Sequence, residues 1–299
     1  MKVRFSEIFY SFQGEAEHAG TPTTWIRFFG CNLECNGFGQ KDPTDPSTYK
    51  LPFLDLDLID VKRVEDLPVW EYGCDSSYSW SKKYKHLAQD TDPQGAADLL
   101  ESKLPHGKFT HPRTGQENML AFTGGEPMLQ QKQMKAIVNE FVIRGNIPKL
   151  VTVETNATKK LNPELAEWLN TYYHDMGGQW HWAMSPKLLQ TSGEVGKVNL
   201  DIIMSYLEGV PQSTGILKFV CNGTEDSWKE IEDFVTELNS YYKNVADKIK
   251  KPDIWIMPVG ATVEGQELVA ADIAIEAMNR GYKVATRNHA YVFGNQIGT

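Results

Sequence analysis

The chain has 299 residues, of which 41% are hydrophobic and 23% charged, and this composition excludes a chain that is disordered as a whole. Its formal net charge of -9 disfavours direct binding of DNA or RNA, because phosphate binding usually needs a basic excess. Residues 1–12 lack a secretory signal pattern, no apolar run approaches the roughly 18 residues of a membrane helix, and four cysteines are too few for a disulfide-built fold. These features predict a cytoplasmic protein whose cysteines are ligands, catalytic thiols or small core residues.

Short apolar runs rich in β-branched and aromatic residues predict strands, and longer amphipathic segments between them predict helices. The predicted strands cover residues 23–29, 119–123, 150–154, 180–184, 216–221, 254–257 and 283–286. The predicted helices cover residues 95–104, 128–144, 163–173, 227–250 and 264–280. Strands that alternate with helices indicate about six parallel βα units in a single α/β domain, residues 1–299. A barrel, open or closed, and a doubly wound sheet both fit, and both place the ligand site at the carboxyl ends of strands.

Residues 36–73 interrupt this alternation. The segment contains the turn-forming run Lys41-Asp-Pro-Thr-Asp-Pro-Ser-Thr, and then acidic and hydrophobic residues alternate over residues 51–60. We predict that it is an insertion within a cysteine-bearing loop and not a separate domain.

Three cysteines form a pattern suited to an iron–sulfur cluster. Cys31 and Cys35 lie in Gly30-Cys-Asn-Leu-Glu-Cys, where their spacing places two thiolates on one side of a loop, and Cys74 lies just beyond the insertion. Three thiolates on a four-iron cluster leave one iron open to a small molecule. Without a cluster, the three would be unrelated thiols. Cys221 lies in an apolar strand and is predicted to be a small core residue, with a ligand of a second cluster as the alternative.

The cysteine loop resembles that of the radical S-adenosylmethionine superfamily, in which the third cysteine normally follows two residues after the second. Phe38 occupies that position, so we predict that the insertion displaces the third ligand to Cys74, which keeps the following Asp75 and Ser76. Four later segments at strand ends also resemble superfamily motifs. They are Thr123-Gly-Gly-Glu-Pro, Glu154-Thr-Asn, Ser185-Pro-Lys and Met257-Pro-Val-Gly.

The resemblance implies which residues bind S-adenosylmethionine. They are Asp75, Gly124, Gly125, Glu126, Glu154, Ser185, Lys187 and Met257. Within this set, the Gly-Gly-Glu-Pro loop with Glu126 is implied to bind the amino group of the methionine moiety, and Glu154 and Met257 are implied to lie near the nucleoside.

The N-terminal segment narrows the resemblance to the 7-carboxy-7-deazaguanine synthase family. Glu7-Ile-Phe-Tyr-Ser-Phe-Gln-Gly-Glu-Ala is similar to the family's opening Phe-x-Ser-Ile-Gln-Gly-Glu-Gly, and Trp25-Ile-Arg-Phe is similar to its next strand. The resemblance implies that Gln13 and Glu15 hydrogen-bond the edge of a pterin and that Arg27 pairs with a substrate carboxylate.

Three more residues receive roles from the same resemblance. Thr123 is implied to face the substrate, and Ser76 is implied to ligate Mg²⁺ through its hydroxyl oxygen. His289, in the closing segments Arg287-Asn-His and Phe293-Gly-Asn, is implied to approach the substrate. The alternatives are a solvated turn for Gln13 and Glu15, a solvent-facing arginine, an ordinary loop serine and a structural histidine.

The family implies a partial (βα)6 TIM-like barrel of the radical S-adenosylmethionine type. It also implies a 4Fe–4S cluster, S-adenosylmethionine, Mg²⁺, an electron donor of flavodoxin or ferredoxin type, and a homodimer. The implied reaction converts 6-carboxy-5,6,7,8-tetrahydropterin to 7-carboxy-7-deazaguanine with loss of ammonia, a step towards queuosine and related deazapurines.

Two other hypotheses remain open at this point. An activase that installs a glycyl radical on a partner protein would share the cysteine and Gly-Gly-Glu-Pro motifs but would not need Gln13, Glu15 and Arg27. A regulatory or scaffold protein without a cluster would follow if the insertion had disabled the third ligand.

Overall fold

The computed structural model describes residues 1–294 and 296–299, and of residue 172 only the backbone. The strands are β1 (Val3–Phe12), β2 (Pro22–Phe28), β3 (Gln89–Thr91), β4 (Met119–Gly124), β5 (Leu150–Thr155), β6 (Gln179–Met184), β7 (Thr214–Cys221), β8 (Asp253–Pro258) and β9 (Lys283–Val284). The helices are α1 (Pro52–Asp55), α2 (Pro93–Lys103), α3 (Gln131–Ile143), α4 (Pro163–Trp168), α5 (Leu189–Ser192), α6 (Leu200–Gly209), α7 (Glu225–Tyr242), α8 (Val263–Glu267), α9 (Ala270–Asn279) and α10 (Asn288–Phe293). Across the described ranges, none of the helices has the length and apolarity needed to span a bilayer.

The nine strands found in the described residues form one sheet in the order β3-β1-β2-β4-β5-β6-β7-β8-β9. β1 pairs antiparallel with β2 and β3, and every pair from β2 to β9 is parallel. The parallel strands follow one another in chain order, whereas a doubly wound sheet reverses its order at a switch point. Residues of both β1 and β8 line one cavity, so the sheet curves. The predicted partial barrel is therefore confirmed, and the doubly wound alternative is wrong.

The helices cover one face of this sheet and enclose the main core. Crossover helices such as α3 and α7 bury an apolar stripe, with Ile137 and Ile231 fully inaccessible, against the outward side chains of the strands. The polar side chains lie at the carboxyl ends of the parallel strands, on the inner face of the sheet. A small open barrel leaves room for them there.

All seven predicted strands are present, and several helix bounds differ from the prediction. The helix predicted over 227–250 ends at Tyr242, and the one predicted over 264–280 is two helices, α8 and α9. β1 and α6 were not predicted. α6 buries Leu200, Ile203, Met204 and Leu207, an i, i+3, i+4, i+7 pattern that the sequence analysis overlooked.

The predicted insertion leaves and rejoins the loop at nearly one point, since the Gly73 amide donates to the Phe38 carbonyl at 2.8 Å. Residues within and just after it pack into a second apolar cluster: Phe53, Val64, Leu67, Trp70, Tyr78, Tyr84 and Leu87. Trp70 stacks on Tyr84 at a ring-centroid distance of 6.0 Å, and its indole nitrogen donates to the Cys74 carbonyl at 2.8 Å. The inserted chain thus supports the backbone of Cys74.

Candidate active site

A cavity of about 240 Å³ opens at the carboxyl ends of the parallel strands. Its walls come from the β1–β2 hairpin, the cysteine loop, the ends of β4 to β8 and the C-terminal segment. The predicted site residues that line it are Gln13, Glu15, Arg27, Cys31, Cys35, Cys74, Asp75, Ser76, Thr123, Gly124, Gly125, Glu154, Ser185, Lys187, Met257 and His289. The fold therefore brings together side chains that lie up to 276 positions apart in the sequence, Gln13 and His289.

Cys31, Cys35 and Cys74 share one wall of the cavity, and all three are free thiols. Burial raises the pKa of Cys31 to about 12 and that of Cys74 to about 11, and the charges of Glu126 and Cys74 contribute to the rise for Cys31. Iron ions would take the place of these protons, since a coordinating thiol is deprotonated outright. The donor set fits a four-iron cluster with three protein ligands. Cys221, by contrast, is buried in the main core beside Ser227, as predicted.

Glu194 holds the cysteine loop in place, and no sequence motif pointed to it. Its Oε1 accepts the backbone N–H groups of Glu34 and Cys35, both at 2.8 Å. Cys35 has a φ of 52°, in the left-handed region that a residue with a side chain seldom adopts. The paired hydrogen bonds therefore stabilise an otherwise unfavourable backbone conformation at a proposed ligand.

We expect Glu194→Ala to weaken cluster retention by about 10–100-fold, the range seen when a group that orients a metal ligand is lost. Glu194→Gln should retain most of it, because the amide oxygen can still accept. Iron per chain and the rate of cluster loss after dilution would be measured. Asp92→Ala is the matched control, because Asp92 also accepts a backbone N–H group, that of Gly95 at the start of α2, and it does not line the cavity. Equal iron retention in Glu194→Ala and in the control would contradict this role.

The Gly124-Gly125 loop lies directly against the cysteine loop. A Cβ on residue 125 would lie 2.2 Å from the Gly30 carbonyl oxygen, so only glycine allows this approach.

Glu126 is an exception among the predicted residues, because it does not line the cavity and its side chain is inaccessible. Its carboxylate accepts from the amides of Met128 and Asn156 at 2.8 and 2.7 Å and from the Thr155 hydroxyl at 2.7 Å. The structure thus places Glu126 as a link between the loops after β4 and β5, and not at the wall where the resemblance put it.

A buried lysine connects the predicted pterin-binding residues, and the sequence prediction missed it. The Lys218 ammonium forms ion pairs with Glu15 and, at 3.2 Å, with Glu154. Gln13 Nε2 donates to the second Glu154 oxygen at 2.9 Å. A single lysine inside the apolar run of β7 was the available sequence signal, because such a charge is buried only when it is paired.

Folding stability is expected to fall as the pH falls from about 4.5 to about 2 through the contribution of Glu15. Burial raises the pKa of this carboxyl, but Lys218 and then Arg287 outweigh it and hold the pKa at about 2, below its ordinary 4.5. The ionised form of Glu15 is therefore favoured in the folded state. This adds up to about 3 kcal/mol to the free energy of unfolding above the unfolded pKa, and the contribution is lost on acidification. Urea unfolding of the cluster-free protein and of Glu15→Gln should show a stability difference that shrinks through this window. A difference independent of pH would contradict the assignment.

Arg27 is fixed by the buried Glu7 carboxylate. Arg27 Nε lies 2.6 Å from Glu7 Oε1, which also accepts from the Tyr78 hydroxyl at 2.9 Å. The other end of the guanidinium reaches the cavity, where Nη1 donates to Ser76 Oγ at 3.2 Å. Ser76 in turn donates to Asp75 at 3.1 Å. The Nε of Arg27 is thus paired with a buried carboxylate, and its Nη1 lies at the cavity beside Ser76, a position suited to an anion.

The C-terminal segment completes the wall around Glu15 and Asp75. Arg287 lies 2.9 Å from Asp75 and 3.3 Å from Glu15, so it is a further cavity residue that was not predicted. His289 packs on Gly14, where a Cβ would lie 1.9 Å from the ring Nδ1. Burial lowers the pKa of His289 to about 4, so its ring is neutral near pH 7. Asn295, the end of the second closing motif, lies outside the described residues.

No family model matches the chain. It is similar to the 7-carboxy-7-deazaguanine synthase of Halobacterium salinarum, with 23% identity over 97% of this chain and 90% of the relative. It is also similar to the 7-carboxy-7-deazaguanine synthase of Pyrobaculum aerophilum, with 22% identity over 99% of this chain and 97% of the relative. The structure is similar to the crystal structure of QueE from Escherichia coli, with a TM-score of 0.52 and 14% identity over 97% of this chain and 95% of that one, a likeness of fold.

The open barrel and its three-thiol cavity define a radical S-adenosylmethionine protein. The near full-length similarity to several relatives of one name is consistent with the Gln13, Glu15 and Arg27 constellation. Over nearly its whole length, the chain is thus similar to proteins named 7-carboxy-7-deazaguanine synthase.

Proposed function

We propose that this protein converts 6-carboxy-5,6,7,8-tetrahydropterin to 7-carboxy-7-deazaguanine with loss of ammonia, in the synthesis of queuosine or related deazapurines. The observation that carries the proposal is one cavity that joins three free thiols to Gln13, Glu15 and Arg27. A general radical S-adenosylmethionine protein needs the thiols, but it has no need of an amide, a carboxylate and a guanidinium in the same cavity.

Cys31, Cys35 and Cys74 would hold a 4Fe–4S cluster. When bound, the cluster supplies the electron with which S-adenosylmethionine is cleaved to a 5′-deoxyadenosyl radical. The three thiols leave one iron open to that molecule, and an electron donor of flavodoxin or ferredoxin type would reduce the cluster.

Polar groups at the strand ends would orient S-adenosylmethionine. Lys187 Nζ donates to Ser185 Oγ at 3.0 Å, and both side chains line the cavity. An ammonium and a hydroxyl together suit the carboxylate of the methionine moiety. Gly124 and Gly125 allow close approach of backbone to ligand, and Met257 offers an apolar surface to the adenine.

Residues of β2 and of the turn between β1 and β2 would orient the pterin. Gln13 offers both an acceptor and a donor, and Glu15 offers an acceptor, as the mixed edge of a pterin requires. The substrate carboxylate would lie between Arg27 and an Mg²⁺ ion on Ser76, displacing the hydrogen bond that joins these two residues. Asp75 would contribute negative charge beside the ion. Thr123 and His289 would contact the substrate from the remaining sides.

The cellular setting is also part of the proposal. All four cysteines are free thiols, which is typical of a reducing cytoplasm. A homodimer interface would cover some of the large apolar side chains that are exposed in the last part of the chain. They are Leu268, Ile275, Met278, Tyr291 and Val292.

The proposal is tested by an anaerobic assay of reconstituted protein with a strong reductant, Mg²⁺, S-adenosylmethionine and 6-carboxytetrahydropterin. Mass spectrometry should detect 7-carboxy-7-deazaguanine. Steady formation of 5′-deoxyadenosine without this product would favour the activase hypothesis. A purified chain that takes up no iron would favour the regulatory or scaffold hypothesis.

A further inference from the structure

A group of metal-binding side chains lies at the inner end of the barrel, outside the roles described above. Glu17 and His18 belong to a short 3-10 turn, Ala16–His18, that directly follows Glu15, and His181 lies in the middle of β6. One ligand atom from each of the three side chains lies within 4.8 Å of the other two. The two imidazole rings, of His18 and His181, meet edge to face, with centroids 4.6 Å apart and planes at 80°.

Each of the two histidines has a ring nitrogen that can bind a ligand. Nδ1 of His181 pairs with the Thr214 hydroxyl at 2.8 Å, so Nε2 is the nitrogen that can ligate. Nε2 of His18 is buried and has no hydrogen-bond partner. A buried polar atom without a partner is unfavourable, and an ion at this point would remove that cost. The Thr214 contact resembles the outer-shell hydrogen bond that usually orients a metal-bound histidine.

We propose that Glu17, His18 and His181 bind a divalent transition-metal ion, with zinc as the best chemical fit. Two imidazoles and one carboxylate are a common ligand set for zinc, and three protein ligands leave one position for water. Glu17 is exposed, which gives the ion a route from solvent. This metal site does not depend on the thiol cavity or on the proposed reaction.

The ion would fix the turn that follows Glu15. Ala16 has a φ of 55°, a left-handed conformation that is unfavourable for alanine. A metal ion bound by both His18 and His181 would connect this turn to β6, which is paired with both β5 and β7 in the sheet. The expected result of metal binding is therefore a more stable fold around the turn.

The test uses the cluster-loaded protein, so that the three cavity thiols are already occupied, and Co²⁺ as an optical probe. We expect one Co²⁺ per chain beyond the cluster, with visible bands typical of nitrogen and oxygen ligands and no new thiolate charge-transfer band. Zn²⁺ should displace it. His181→Phe should weaken binding by at least about 100-fold while it keeps an aromatic ring in place.

Two further variants keep the test decisive. His18→Gln changes a partly exposed position, so it should fold even if His181→Phe does not, and it should also lose the bound Co²⁺. His111→Phe is the matched control, since His106 and His111 form a similar edge-on pair at 5.1 Å. This control should bind Co²⁺ as the unmodified protein does. Absence of Co²⁺ binding in the unmodified protein, or binding that survives both His181→Phe and His18→Gln, would overturn the proposal.

Discussion

Cys74→Ala is expected to remove both the cluster and the formation of 7-carboxy-7-deazaguanine. Cys74 lies on the same wall as Cys31 and Cys35, and Phe38 occupies the position of the usual third thiol. Loss of a ligand should exceed the ~10–100-fold cost of losing a group that merely orients one, so the rate should fall by more than about 100-fold. Iron per chain, the visible absorbance of the cluster and product formation would be measured after the same anaerobic reconstitution.

The matched control for this prediction is Cys221→Ala, the same substitution at a thiol buried in the main core. It should retain the cluster and lose only about 1 kcal/mol of folding stability, a typical cost for a single substitution. Phe38 also lines the cavity, so Phe38→Cys combined with Cys74→Ala tests whether a thiol at the usual spacing can serve instead. Normal iron content and activity in Cys74→Ala alone would contradict the displaced ligand.

The sequence predicted those parts of the site whose position depends only on a strand and the residues that directly follow it. A strand that ends in Gly-Gly-Glu-Pro or Ser-Pro-Lys places those residues at the carboxyl edge whatever the neighbouring strands are. Parallel pairing then brings every such edge together. The residues quoted from motifs at strand ends therefore reached the cavity, and Glu126, inside a tight turn, did not.

The residues that were missed depend on contacts between distant segments. Lys218 is defined by Glu15 on one side and Glu154 on the other, and Glu194 is defined by the amides of the cysteine loop. No spacing in the sequence relates these partners. The same reason applies to the inserted segment, whose apolar cluster joins irregularly spaced residues such as Phe53 and Trp70 without a helical or strand period. Its boundaries, residues 36–73, stay a prediction.

Removal of the Arg27 guanidinium should separate product formation from cleavage of S-adenosylmethionine. A change of Arg27 alone would leave the buried Glu7 carboxylate without a cation, which costs about 3–5 kcal/mol of stability. The informative variant is therefore Glu7→Gln with Arg27→Met, which removes both charges. We expect kcat/KM for the pterin to fall by about 10²–10³-fold, the loss that follows truncation of one partner of a buried charge pair. Formation of 5′-deoxyadenosine should continue, because Arg27 has no part in holding the cluster.

Two controls assign that loss to substrate binding. Glu7→Gln alone keeps the guanidinium and should cost much less than the double variant. Arg144→Met removes a partly buried arginine that pairs with Asp98 and Glu101 away from the cavity, so it reports the general effect of such a change. The rates of 5′-deoxyadenosine and 7-carboxy-7-deazaguanine formation would be compared in the same reactions. If both fell together in the double variant, Arg27 would act on the fold or the cluster. If neither fell, the carboxylate of the substrate would bind elsewhere in the cavity, and the synthase proposal would lose one of the three residues that distinguish it from an activase.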